Sequence, residues 1–171
     1  MIPVSDPLTG VLQSFSNLLL AFPERSMGDT TTTTTAQQRI IQACEAEFNA
    51  HDNDCSGFVR AVSHDLGITL TGLANQIVDE IQAAPWTIVS DGVQAKAQAD
   101  LGFLVIGGLK ENPHGHVVVV VTGPLAAGKY PTAYWGRLGS IGKKNTTINW
   151  AWNLQDRDKV IYGYIALPPQ Q

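Results

Sequence analysis

The apolar positions of this chain change period partway along it. Over residues 36–49 they recur at helical spacing, with Ile40, Ile41, Cys44 and Phe48 set among good helix formers. A second helical stripe, Phe58, Val59, Val62 and Leu66, follows Asn53 and Asp54, which are placed to cap a helix beginning at Cys55. Gly67 is placed to end it. Residues 73–84 read as a third helix, stopped before Pro85, and residues 91–101 as a fourth, rich in Ala and Gln. After that the pattern shortens to strand-length runs of Val, Ile and Tyr at residues 103–109, 116–122, 132–136 and 160–167. Helices first and consecutive strands afterwards predict an α+β fold, with N-terminal helices packed on an antiparallel β-sheet.

The first 35 residues lack this order. Their apolar run, residues 11–22, is broken by Gln13, Ser14, Ser16 and Asn17. It is too short and too polar to span a bilayer, and no basic segment precedes it as a Sec signal requires. Six threonines at residues 30–35 carry no amphipathic period and suit a flexible joint; Asp29 and the first of them also suit a helix cap. Residues 1–35 therefore read as an appendage and 36–171 as the domain. The expectation is a protein made in the cytoplasm, without membrane insertion, and moved by a machine other than Sec if it acts elsewhere.

Composition narrows the function classes. Charged residues make up 15% and hydrophobic ones 44%. That is the reverse of the balance that keeps a chain disordered. A formal net charge of -4 argues against a nucleic-acid partner. Two cysteines exclude a disulfide-dense scaffold and a cysteine zinc cluster, and neither a metal nor another cofactor is expected.

The candidate chemistry centres on Cys55. At the first turn of a helix a thiol sits in the positive end of the dipole, which lowers its pKa and favours the thiolate. Gly57 keeps the neighbourhood small enough for a substrate backbone, and the unpaired first-turn amides at Cys55 and Ser56 are candidates to hold an oxyanion. A buried cysteine acting as a small hydrophobe is the competing reading. A thiolate nucleophile needs a base. Among His51, His64, His114 and His116, the last is favoured, because it opens a strand with Gly115 clearing space beside it; the competing reading is a hydrogen-bonded strand histidine. Residues 123–130 come close to a phosphate-binding loop, but Tyr130 stands where a hydroxyl residue must hold magnesium. A glycine-bearing turn is the better reading. Trp86, Trp135, Trp150 and Trp152 are candidates for a groove or for the core, and Asp156 to Lys159 for a solvated turn.

The run Asp54-Cys55-Ser56-Gly57-Phe58-Val59, with Gly115-His116-Val117 later, resembles the NlpC-type papain-like cell-wall peptidases. The segment Phe103-Leu104-Val105-Ile106-Gly107-Gly108-Leu109-Lys110, then Gly123-Pro124-Leu125, Lys129-Tyr130-Pro131, Trp152-Asn153 and Asp156-Arg157-Asp158, is similar to the first family of type VI secretion amidase effectors. The similarity spans roughly residues 37–167. It implies a papain-like fold and a toxin that cleaves the γ-D-glutamyl–meso-diaminopimelate bond of peptidoglycan stem peptides. It also implies delivery by type VI secretion components into the periplasm of rival bacteria, and a cognate immunity protein that blocks the cleft in the producer. It carries over Cys55 as nucleophile and His116 as base, with the amides of Cys55 and Ser56 for the oxyanion and Asp54 and Gly115 beside the substrate. Two features depart from the family. The polar group that orients the histidine falls at Trp135, whose side chain accepts no hydrogen bond, so the third orienting residue stays unassigned. The cysteines that close a disulfide in a family member have no counterparts here, which leaves Cys44 as a packing residue and predicts two free thiols. A phage or housekeeping hydrolase of the same fold, and a catalytically inactive wall- or partner-binding module, stay open as alternatives.

Overall fold

The computed structural model of the chain describes residues 35–170. The expected appendage, except for Thr35, lies outside the described residues. Thr35, the last of the six threonines, begins the ordered domain. Its hydroxyl accepts the Gln38 amide while the Gln38 side chain accepts the Thr35 amide, a reciprocal cap on helix α1 (Ala36–His51). Helix α2 (Cys55–Asp65) is capped by Asp54, and Gly67 follows its end at φ +79°. Helices α3 (Ala74–Glu80) and α4 (Gly92–Asp100) complete the helical half, all close to the predicted spans.

Six strands form one antiparallel sheet in the order β1-β6-β2-β3-β4-β5. Strands β2 (Leu104–Leu109), β3 (His116–Val120), β4 (Thr132–Arg137) and β6 (Ile161–Ile165) are those the sequence predicts. The other two, β1 (Thr87–Val89) and β5 (Ser140–Thr147), are the sheet's edges. Both are largely exposed, so neither needs the apolar alternation by which a strand is recognised.

The helices do not all share one face. Leu104, Ile106, Val117, Val119, Val121 and Tyr134 pack with α1, α2 and α3, against Cys44, Phe48, Phe58, Val59, Ile77 and Val78. Val105, Val118, Val120, Ala133, Trp135 and Tyr162 pack on the other side, against Ala95 and Ala99 of α4 and against Ile148, Ala151 and Trp152. Covering both faces explains why β3 runs His-Val-Val-Val-Val without alternation.

Two loops resolve as follows. Residues 123–130 make a tight turn, with Ala127 and Gly128 at positive φ, and continue into β4 rather than into a helix, so the glycine-bearing turn stands. The turn at residues 156–159 is more than a solvated loop. Arg157 lies 4.4 Å over the Tyr130 ring, the Tyr130 hydroxyl donates to Asp158 at 2.8 Å, and Lys159 donates to Asp156 at 2.9 Å.

Candidate active site

The site is built where two strands part. The β3–β4 ladder registers Val119 with Tyr134 and Val120 with Ala133. Towards His116 on one strand and Arg137 on the other, the α1–α2 turn enters. The amides of Arg137 and Gly142 both donate to the Asp52 carbonyl, at 2.9 and 2.7 Å, which fastens that turn to the β4–β5 hairpin. Gly136 makes the approach possible, because a Cβ there would run into the carbonyl oxygens of His51 and of Asp54, the latter at 2.6 Å. The N-terminus of α2 thus points into the gap and delivers Cys55 to the head of β3.

Cys55 and His116 line one cleft. Cys55, His114, Gly115 and Leu138 line both of its arms. One arm, about 910 Å³, runs past Asp54, Ser56, Asn75 and Gln76 and is rimmed by Leu73, Leu138 and Ile141, the last two 66% and 71% exposed. The other, about 570 Å³, holds His116, Arg137, Trp150, Trp152 and Asn153.

The predicted residues fall as follows. Ser56 is buried, with its hydroxyl 3.9 Å from Cys55 Sγ. The Gly57 amide donates to the Asp54 carboxylate at 2.9 Å and the Phe58 amide to the Asp54 carbonyl at 2.9 Å. The amides of Cys55 and Ser56, ahead of that first helical bond, are the pair a helix leaves for a ligand. The expectation for Gly57 is corrected: a side chain there would meet the Asp54 carboxylate and, at 3.1 Å, His51 Nδ1, so the glycine makes room for the helix cap and not for a substrate. Asp54 lines the larger arm but spends its carboxylate on that cap. His114 precedes β3 and stands at the cleft mouth, while His51 pairs with Glu47 at 3.4 Å and His64 is exposed. Both cysteines are free thiols. Among the described residues no three His, Cys, Asp or Glu side chains converge as metal ligands.

Electrostatically the pair rests uncharged. Burial pushes the Cys55 thiol above its ordinary value, against the lowering by the Val117 amide and the Ser56 hydroxyl, and the Asp54 carboxylate adds to the rise. The expectation that the helix start favours a thiolate is therefore corrected: desolvation outweighs the amides. Burial, with the Arg137 guanidinium second, lowers His116 from 6.5 to about 4. Arg137 in turn donates to the Trp150 carbonyl at 3.4 Å.

The imidazole is held by aromatic rings. Trp135 lies at 6.4 Å between ring centroids and 89° to the His116 plane. Trp152 lies closer, at 5.0 Å and 65°. His116 Nε2 is inaccessible and has no hydrogen-bond partner among the described residues. The place of Trp135 was legible from its position on the strand after the histidine. The part played by Trp152 was not, because it comes from a turn on the far side of β5.

Over 141 residues the chain is 37% identical to the peptidoglycan amidase Tse1 of Pseudomonas aeruginosa strain PAO1, a match covering 76% of this chain and 91% of that protein. No family model matches the chain.

Proposed function

The chain belongs to the family of the peptidoglycan amidase Tse1, and from that premise we propose that it is a cell-wall-degrading toxin, a cysteine peptidase acting on peptidoglycan stem peptides. The observation that carries the reading is a single cleft lined by both Cys55 and His116. In this reading His116 takes the thiol proton as Sγ attacks the scissile carbonyl carbon. The amides of Cys55 and Ser56 receive the oxyanion. On collapse the C–N bond breaks, and the imidazolium gives its proton to the leaving amine. His116 then deprotonates water, which releases the acyl group as a carboxylate and restores the thiol. Asp54 serves by holding the helix cap. The expectation that Gly115 clears space for the substrate is corrected: a Cβ there would meet the Asn75 side chain and, at 2.6 Å, the Leu109 carbonyl oxygen, so the glycine makes room for the β2–β3 connection.

The bond proposed is that between the γ-carboxyl of D-glutamate and meso-diaminopimelate, and the setting proposed is the periplasm of a rival cell reached through type VI secretion. The apolar rim of Leu73, Leu138 and Ile141 is more apolar than a charged stem peptide needs. It supports a protein partner at the cleft mouth, and a cognate immunity protein is the partner proposed.

Purified protein incubated with defined muropeptides, with products weighed by mass spectrometry, tests the reading. A new amine on diaminopimelate and a free γ-carboxyl on D-glutamate are expected from wild type and not from Cys55→Ala. Turnover that survives the substitution overturns the cysteine mechanism. Products cut at another bond overturn the bond assignment alone.

A further inference from the structure

The family's polar orienter has no counterpart beside His116, yet the ring is sealed on that side. We propose that Trp152 is the positioning residue for His116: its indole face receives the imidazole Nε2–H, which leaves Nδ1 as the nitrogen that takes the Cys55 proton. Two observations and one general property of aromatic rings converge on this. His116 Nε2 is inaccessible and, among the described residues, no oxygen or nitrogen accepts from it. The Trp152 ring stands at 5.0 Å and 65°, the separation and tilt of an edge-to-face pair. An N–H group directed at an aromatic face is a recognised weak hydrogen bond, and it tolerates the absence of a conventional acceptor. The face also attracts a cation, so the same ring favours the imidazolium as it forms during attack. The depressed basicity of His116 at rest fits a neutral ring.

Trp152 is itself fixed. Its amide donates to the Ile148 carbonyl at 3.2 Å, and the Ile148 amide donates to Pro131 at 3.0 Å, which ties the turn back to the start of β4. Trp135 closes the remaining side of the ring at 6.4 Å. The imidazole is thus oriented by shape and π-density, with no carboxylate or amide oxygen behind it.

Only the catalytic consequence of this inference rests on the cysteine-peptidase reading; the tautomer does not. Nitrogen-15 spectra of histidine-labelled full-length protein, without substrate, are expected to show His116 as the Nε2–H tautomer with that proton shifted upfield by the ring current. A resting Nδ1–H tautomer overturns the proposal whatever the enzyme cleaves. Kinetics supply the second arm. Trp152→Leu is expected to lower kcat by about 10- to 100-fold, the scale of a misplaced catalytic group, with KM within about twofold. Trp152→Phe, which keeps a π-face, is expected to restore most of that loss. Equal kcat for the Leu and Phe variants, both folded by circular dichroism, overturns the π-face role. If wild type cleaves no muropeptide, the reading of function falls and the tautomer still decides the inference.

Discussion

Between pH 7 and pH 5 one residue, His116, should destabilise this fold by an amount that can be worked out. His116 has an ordinary pKa of 6.5, and burial in the aromatic clamp lowers it to about 4. Between those values the unfolded chain binds a proton there and the folded chain does not, so stability rises with pH across the window and falls on acidification. At 1.36 kcal/mol per pKa unit the full difference is about 3 kcal/mol, of which about 2 kcal/mol is lost between pH 7 and pH 5. Glu45, Asp91, Asp100 and Asp156 are held below their ordinary values and also weaken the fold in acid. They titrate lower, and they are common to any variant at position 116. Urea unfolding at several pH values from 7 to 5 should therefore be run on wild type and on His116→Gln. Wild type is expected to lose about 2 kcal/mol more than the variant over that range. Parallel curves would refute the argument, because they would mean that His116 titrates in the folded protein as it does in water.

Arg137→Gln removes the second cause of that shift and should raise the His116 pKa, read by proton NMR of the ring; burial, the first cause, should keep it below 6.5. Gly136→Ala forces a methyl against the carbonyls of His51 and Asp54, which cannot swing aside as a side chain would. It should cost about 1–3 kcal/mol, lower Tm by several degrees, and depress kcat more than a remote substitution of equal destabilisation. Asp54→Asn keeps a good capping residue while removing the carboxylate that raises the Cys55 thiol, so the pH midpoint for alkylation of Cys55 should fall; an unchanged midpoint would remove Asp54 from the account. Native protein treated with iodoacetamide should label at Cys55 alone, and faster above the usual thiol range, because Cys44 is fully buried and pushed well above it.

What the sequence made legible follows from what packing demands of it. The stripe Phe58, Val59, Val62 and Leu66 had to be one helix face, and all four are buried. The valines of β3 had to be a strand, though cover on both of its faces was not read from them. The place of Cys55 at a helix start was readable from Asp54 and Cys55 alone. Strand β5 was not, because Lys143, Lys144 and Asn145 face solvent along an edge. It is held instead by partners remote in sequence, Lys144 to Glu45 at 2.6 Å and the Gly142 amide to Asp52. The surroundings of His116 were legible in part: Trp135 could be placed from its strand, but Trp152 is brought to the same ring only by the turn after β5.

A helix start favours the thiolate of an exposed cysteine, and the reason Cys55 departs from that bears on how the proposed pair works. A thiol at the N-terminus of a helix in open solvent feels the amides with little desolvation. Here the thiol is only 6% exposed, and that burial is imposed by the feature that makes the site. The α1–α2 turn must sink into the gap between β3 and β4 for Cys55 to share a cleft with His116. Proximity and desolvation therefore come together, and a pre-formed thiolate–imidazolium pair is disfavoured at both members. In the proposed mechanism charge separates only at the moment of attack, when the amides of Cys55 and Ser56 and the aromatic face beside the imidazole act on charge that is only then developing. A neutral resting thiol is also a poor target for oxidants, whose reaction needs thiolate. For a nucleophile without a disulfide partner, in the oxidising compartment proposed, the two requirements are met by the same burial.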